Sequence, residues 1–214
     1  MSGNSFQDTE YQSVTIYSIG HSNQPMEAFL ELLNRHSIQA LIDVRSHPYS
    51  RYVPHFNGPE LAHAAGRVNI QYLFMGKELG GRPDGEEFYD ADDHLMYSRV
   101  AESPLFLKGI KHLGEVGKAF RVAIMCSEED PTACHRHLLI GRVLAQQGIN
   151  LLHIRGDGHI QTAEELASLE EVPLYEQLSL LDEQTPDRKD REGSEWRSIR
   201  PVSRRRQQPN SSDH

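Results

Sequence analysis

"RVAIMCSEEDPTACHRHLLIGRVLAQQGINLLHI", residues 121–154, decides the fold class. Two short apolar, β-branched runs, "RVAIMC" (121–126) and "NLLHI" (150–154), bracket one helix-like segment, "DPTACHRHLLIGRVLAQQG" (130–148). Asp130 suits a helix N-cap, Pro131 the first helical position and Gly148 the position past the end. Runs of five or six residues without strict alternation fit strands buried on both faces, as in parallel sheets. The unit therefore reads strand–helix–strand.

The same alternation extends toward the N-terminus. "VTIYSI" (14–19), "ALIDV" (40–44) and "IQYLFM" (70–75) are three further strand-like runs. Between them lie "PMEAFLELLNRH", with Pro25 at a helix start and apolar residues at Met26, Phe29, Leu30 and Leu33, and the shorter "GPELAHAAGR". "SPLFLKGIKHLGEVGK" precedes the fourth strand, and Thr162 with Glu165 forms a capping-box pattern. The expectation is an α/β domain: a mostly parallel central sheet of about five strands flanked by helices. Strand order is not readable from this pattern.

The folded unit is expected over residues 1–182, with a core at 14–154 and C-terminal helices at 162–182. From Glu183 to His214 the chain is polar, broken by Pro201 and Pro209, and anchored only by Trp196, with Ile199 and Val202. Such a segment buries too little surface to offset its ordering entropy, so a disordered tail is expected. The chain's net charge is −9; the tail carries eight Lys/Arg against six Asp/Glu, which leaves residues 1–182 at −11. An acidic domain argues against binding duplex nucleic acid across its face. No stretch has the apolar length of a membrane span, and two cysteines without an export signal point to the reducing cytoplasm.

In open parallel sheets, ligands bind beyond the carboxyl ends of the strands. Here those ends lead into His21 and Ser22; into Asp43, Arg45 and Arg51; into "GKELGGRP" with Gly80, Gly81 and Arg82; into Cys126; and into Arg155. "SHPYSRYVPHFN", which contains Arg51 and Asn57, suits a lid or a flat wall for a planar ligand. The arginines, Arg136 included, offer forked donors for a phosphate or carboxylate, or else tie loops to Asp43, Glu78, Glu128 or Asp157. Asp43, ending a buried strand, requires a partner such as Arg45, His21 or backbone amides.

"TIYSIGHSNQPMEAFLELL", "ALIDVRSHPYSRYVPHFN", "YLFMGKELGGRP" and "IMCSEEDPTACHRHLLI" together resemble the DUF488 family of uncharacterised proteins, from about Val14 to Ile154. On this resemblance the family motifs fall on Gly20, His21 and Ser22; Asp43, Arg45, Pro48 and Ser50; Phe56 and Asn57; Leu79, Gly80 and Gly81; and Cys126, Cys134, His135 and Arg136. No catalytic role comes with it. A weaker likeness is to rhodanese-type sulfurtransferases, through "LIDVR" and a strand ending in Cys126. Ser127-Glu128-Glu129-Asp130 departs from that pattern, because three acids beside a thiolate raise its pKa and repel an anionic acceptor.

Three readings of the cysteines stay open. Both are ordinary core residues; or Cys134 or Cys126 is a nucleophile, with His21 and His135 as acid/base groups; or Cys126, Cys134 and His135, with His21 as a further candidate, hold a metal, or the two sulfurs form a reversible disulfide. Two thiolates eight positions apart do not match the short paired spacings of structural zinc sites, so no metal is assigned. The cofactor is unknown.

The expected ligand is a small anionic or nucleotide-like molecule, bound by Ser22, Asp43, Arg45, Arg51, Asn57, Gly80, Gly81, Arg82, Arg136 and Arg155. No Walker loop, GxGxxG or HExxH motif is present. The alternative function is a noncatalytic adaptor in DNA replication or repair. Gln177-Leu178-Ser179-Leu180-Leu181 is similar to the short peptide that docks on the sliding clamp, while i, i+4, i+7 leucine spacing also fits a terminal amphipathic helix.

Overall fold

The computed structural model describes residues 14–171 and 196–202. In chain order the regular elements are β1 (Thr15–Gly20), α1 (Met26–Arg35), β2 (Ala40–Asp43), α2 (Gly58–Arg67), β3 (Gln71–Phe74), α3 (Gly76–Leu79), α4 (Tyr97–Glu102) and α5 (Pro104–Ala119). Then come β4 (Val122–Cys126), a wide π-turn (Arg136–Gly141) running into α6 (Arg142–Gln146), β5 (Asn150–Ile154), β6 (Ile160–Gln161) and α7 (Ala163–Glu171). The strands form one sheet in the order β3-β2-β4-β1-β5-β6, parallel from β3 to β5, with the short β6 antiparallel to β5. The expected five parallel strands are present; β6 is an addition too short to show in a pattern of apolar runs.

Apolar side chains alternate between two cores, one on each face of the sheet. Ile16, Ile42, Val122 and Ile124 pack on one face with Leu139, Ile140, Val143 and Leu144. Tyr17, Ile19, Leu41 and Met125 pack on the other with Phe29, Leu32 and Leu33 of α1. The chain thus leaves β1 toward one face and leaves β4, its neighbour, toward the opposite face. Diverging loops at adjacent strand ends create the crevice in which such sheets bind ligands. Gly20 and Cys126 stand side by side there, in register. β3 departs from the expectation of full burial, since it is an edge strand and Gln71 is exposed.

Two local findings correct the sequence reading. The helix expected from Asp130 begins only at His135: residues 131–134 form a turn in which the Asp130 carboxylate accepts from the Thr132 amide and hydroxyl. Cys134 therefore precedes the helix, and its carbonyl accepts from His137 and Leu138. The second concerns the tail, where residues 196–202 are packed on the domain. The Trp196 indole donates to the Leu138 carbonyl within the π-turn (2.9 Å), lies under Arg142 (4.4 Å) and meets Tyr97 edge-on. Ser198 and Leu95 exchange two hydrogen bonds, and Arg197 pairs with Asp90. The capping box holds, with Thr162 Oγ1 accepting from the Glu165 amide and Glu165 from that of Thr162. The clamp-like peptide 177–181 lies outside the described residues.

Candidate functional site

Cys126 ends β4, and Glu128 follows in the loop that leads to Cys134 and His135. The Cys126 thiol donates to Glu128 Oε2 at 2.8 Å, and Cys134 Sγ lies 3.4 Å from the same oxygen. His135 Nδ1 is 3.8 Å from each sulfur, and the two sulfurs and this nitrogen all lie within 4.8 Å of one another. The thiols are buried, at 5% and 2% exposure, whereas Glu128 is an exposed residue whose carboxylate turns inward to meet both thiols.

The surroundings fix this cluster tightly. His135 Nε2–H donates to the Val44 carbonyl (3.2 Å), which leaves Nδ1 facing the sulfurs. A Cβ on Gly20 would come within 1.8 Å of the Glu128 carbonyl oxygen, so only glycine lets the loop lie against β1. A Cβ on Gly81 would come 2.8 Å from His135 Nδ1, so the loop after α3 rests on the imidazole. Arg136, fully buried, donates to the Glu128 carbonyl and, at 2.5 Å, to that of Glu129. Arg155 grips the Glu129 carboxylate through two bonds (2.9 and 2.8 Å) and reaches Gln161.

Electrostatics separates the two thiols. Burial opposes ionisation of Cys134, but hydrogen bonds from Cys126 and His135 and the charges of His135 and Arg136 outweigh it, bringing its pKa down to about 5. Cys126 is held well above the thiol range by its bond to Cys134, by burial and by the nearby anions. For His135, burial is outweighed by Cys134 and Glu128, and its pKa rises. Glu128 stays ionised below the usual carboxylate range, despite burial of its tip, because Cys126 and backbone donors hold the anion.

His21 lies on the same edge, its amide donating to the Cys126 carbonyl at 3.0 Å. Its Nδ1–H donates to the Ser22 carbonyl (2.7 Å), so Nε2 accepts from Arg45 Nη1 (3.0 Å). Burial and then Arg45 lower its pKa to about 4. Arg45 also grips Asp43 through Nε (2.9 Å) and Nη2 (2.6 Å) and donates to the Phe56 carbonyl (2.8 Å). Tyr72 completes Asp43 at 2.8 Å. His21 and Arg45, expected as an acid/base group and an anion binder, thus satisfy each other as buried supports beneath the rim. Arg136 and Arg155 are likewise loop ties, which is the other reading the sequence left open.

The remaining expected residues divide by exposure. Arg51 and Arg82 are exposed, and Arg51 donates to the equally exposed Tyr52 (2.7 Å). Ser22 is exposed at φ 46°. Asn57 is buried and accepts from the Ser50 amide (2.7 Å), and Gly80 packs on Ser46 and the Gly76 carbonyl. Sequence reasoning took Glu128 as a liability for Cys126 or as an arginine's partner; nothing in its spacing signals that it bridges both thiols. It missed Tyr97 altogether, a buried phenol whose pKa is raised by burial and by the charges of Cys134, Cys126 and Glu128. An open groove of about 730 Å³ lies at the opposite edge of the sheet, between Val14, Ile110, Gly114, Gln147 and Ile149.

The profile of a domain of unknown function, DUF488, matches residues 25–143, more than half of the chain. The chain belongs to the DUF488 family. That match covers the strand ends carrying Asp43, Arg45, Gly80, Gly81, Cys126, Cys134 and His135, so the cluster sits within the DUF488 region. No curated protein and no solved structure matches the chain. Among the described residues, no helix is long and apolar enough to cross a membrane.

Proposed function

We propose that this DUF488 protein is an enzyme acting on a small anionic or nucleotide-like substrate at the carboxyl edge of its sheet. Its chemical centre is Cys126, Cys134, His135 and Glu128. The observation that carries this reading is the meeting of two thiols, an imidazole and a carboxylate at adjacent central strand ends, where the connecting loops diverge. An inert pair of core cysteines needs neither a carboxylate turned inward nor an imidazole held by Val44. Of the arginines expected to bind an anion, Arg51 and Arg82 are exposed to meet a substrate's charge, and exposed Tyr49 and Tyr52 offer flat faces to a base.

The test is a titration of the isotope-labelled full chain with nucleoside monophosphates, sugar phosphates and dicarboxylates, followed by amide chemical shifts. The reading expects a compound that perturbs Ser46, Gly81, Arg82 and His135, and that is turned over by the wild type but not by Cys134→Ser. Perturbations confined to Val14, Ile110 and Ile149 at the opposite edge would overturn it.

A further inference from the structure

Three donor atoms in the centre, Cys126 Sγ, Cys134 Sγ and His135 Nδ1, lie within 4.8 Å of one another, close enough to share one metal ion. Zinc binds thiolate sulfur at about 2.3 Å, imidazole nitrogen at about 2.0–2.1 Å and carboxylate oxygen at about 2.0–2.2 Å, tetrahedrally. Those bond lengths put neighbouring ligand atoms roughly 3.4–3.8 Å apart. His135 Nδ1 lies 3.8 Å from each sulfur, an edge of that length on both sides. Glu128 Oε2 stands beside the two sulfurs, 2.8 Å from Cys126 and 3.4 Å from Cys134, outside this group of three.

We infer that Cys126, Cys134 and His135 form a binding site for a zinc-class divalent cation. The inference rests on the centre proposed above and specifies what its thiols hold. His135 carries the outer bond that metal-ligating histidines ordinarily make: Nε2–H to the Val44 carbonyl, which orients the Nδ1 lone pair at the sulfurs. The scaffold is set in advance, because Arg136 and Arg155 tie down the Glu128–Glu129 backbone and side chain while Gly20 and Gly81 admit close contact. Two soft sulfurs and an imidazole select zinc-class ions over calcium or magnesium, which prefer oxygen. Loading sends the protons held among the thiols and the ring to solvent. The short spacings of zinc ribbons are not required, because the fold brings the end of β4 back beside the start of the next helix.

A second grouping, Asp90, Asp92 and His94, carries no such inference. Asp90 is taken up by the amides of Asp92 and His94 and by Arg197.

The experiment uses the full chain, purified without chelator, then stripped and titrated separately with Zn²⁺ and Co²⁺. The expected results are one zinc per chain by elemental analysis and, with cobalt, tetrahedral visible bands plus a sulfur-to-cobalt charge-transfer band. Both disappear in Cys126→Ser, Cys134→Ser and His135→Ala, each checked for folding by circular dichroism, and persist in Asp92→Asn. Stoichiometric zinc that survives in both cysteine variants overturns the inference. So does the absence of zinc and of the cobalt bands in the wild type. In that case, alkylation of the native thiols by iodoacetamide leaves the thiol centre standing without a metal, whereas thiols that neither bind nor react remove both.

Discussion

Replacing Arg45 with methionine isolates what the buried network beneath the rim contributes. The guanidinium makes four side-chain hydrogen bonds, two to Asp43, one to the Phe56 carbonyl and one to His21. Asp43 is fully buried and keeps only Tyr72 and the Arg45 amide after the change. Breaking a buried pair by removing one partner costs about 3–5 kcal/mol, because the remaining charge is stranded. Against a domain stability of about 5–15 kcal/mol this is a large fraction. With a urea dependence of about 2 kcal/mol per molar, the midpoint should fall by roughly 2 M. Adding Asp43→Asn removes the stranded charge and should recover a good part of the loss, measured as a double-mutant cycle. A single-variant cost below about 1 kcal/mol, or a double variant no better than the single, would refute this account of the network.

Three further outcomes follow from the geometry. Gly20→Ala should displace the Glu128 loop, since the new Cβ meets backbone rather than a pliable side chain; a cost of about 1–3 kcal/mol and altered thiol reactivity are expected, by urea melts and iodoacetamide kinetics. Trp196→Ala should cost about 2 kcal/mol, roughly half the usual loss for a buried tryptophan because Trp196 is half-buried, while an unchanged melting temperature would show that residues 196–202 add nothing. His153, fully buried against Ser18 and His137 with Arg136 and Arg155 nearby, has its pKa lowered to about 3 by burial and these positive neighbours. The unfolded chain then binds the extra proton below pH 6.5, so stability present at neutral pH should fall by about 2–3 kcal/mol between pH 6.5 and 4.5, and His153→Gln should flatten that slope in pH-dependent urea melts.

Much of the fold was legible because parallel strands buried on both faces write themselves as short apolar runs. All five runs match β1 to β5 to within a residue at each end, and "GPELAHAAGR" coincides with α2. Strand order was not legible, since it depends on which face each crossover takes. The start of the helix after Asp130 misled, because aspartate followed by proline caps a turn as readily as a helix. Trp196 reads as one lone anchor, when its value depends on a carbonyl within a π-turn far away in the chain. Cys126, Cys134 and His135 were recognisable by type and place; the inward turn of Glu128 and the mutual saturation of His21, Asp43 and Arg45 are tertiary facts that no spacing records.

The central claim is that both sulfurs serve one compact centre, and a trivalent arsenical reads this directly. Native full-length protein, metal-free, is treated with arsenite and then iodoacetamide, and its intact mass is measured. The account predicts one arsenic per chain bridging Cys126 and Cys134, with both thiols protected from alkylation together and both released by excess dithiol. Independent alkylation of the two cysteines at unrelated rates, with no arsenic retained, would contradict it.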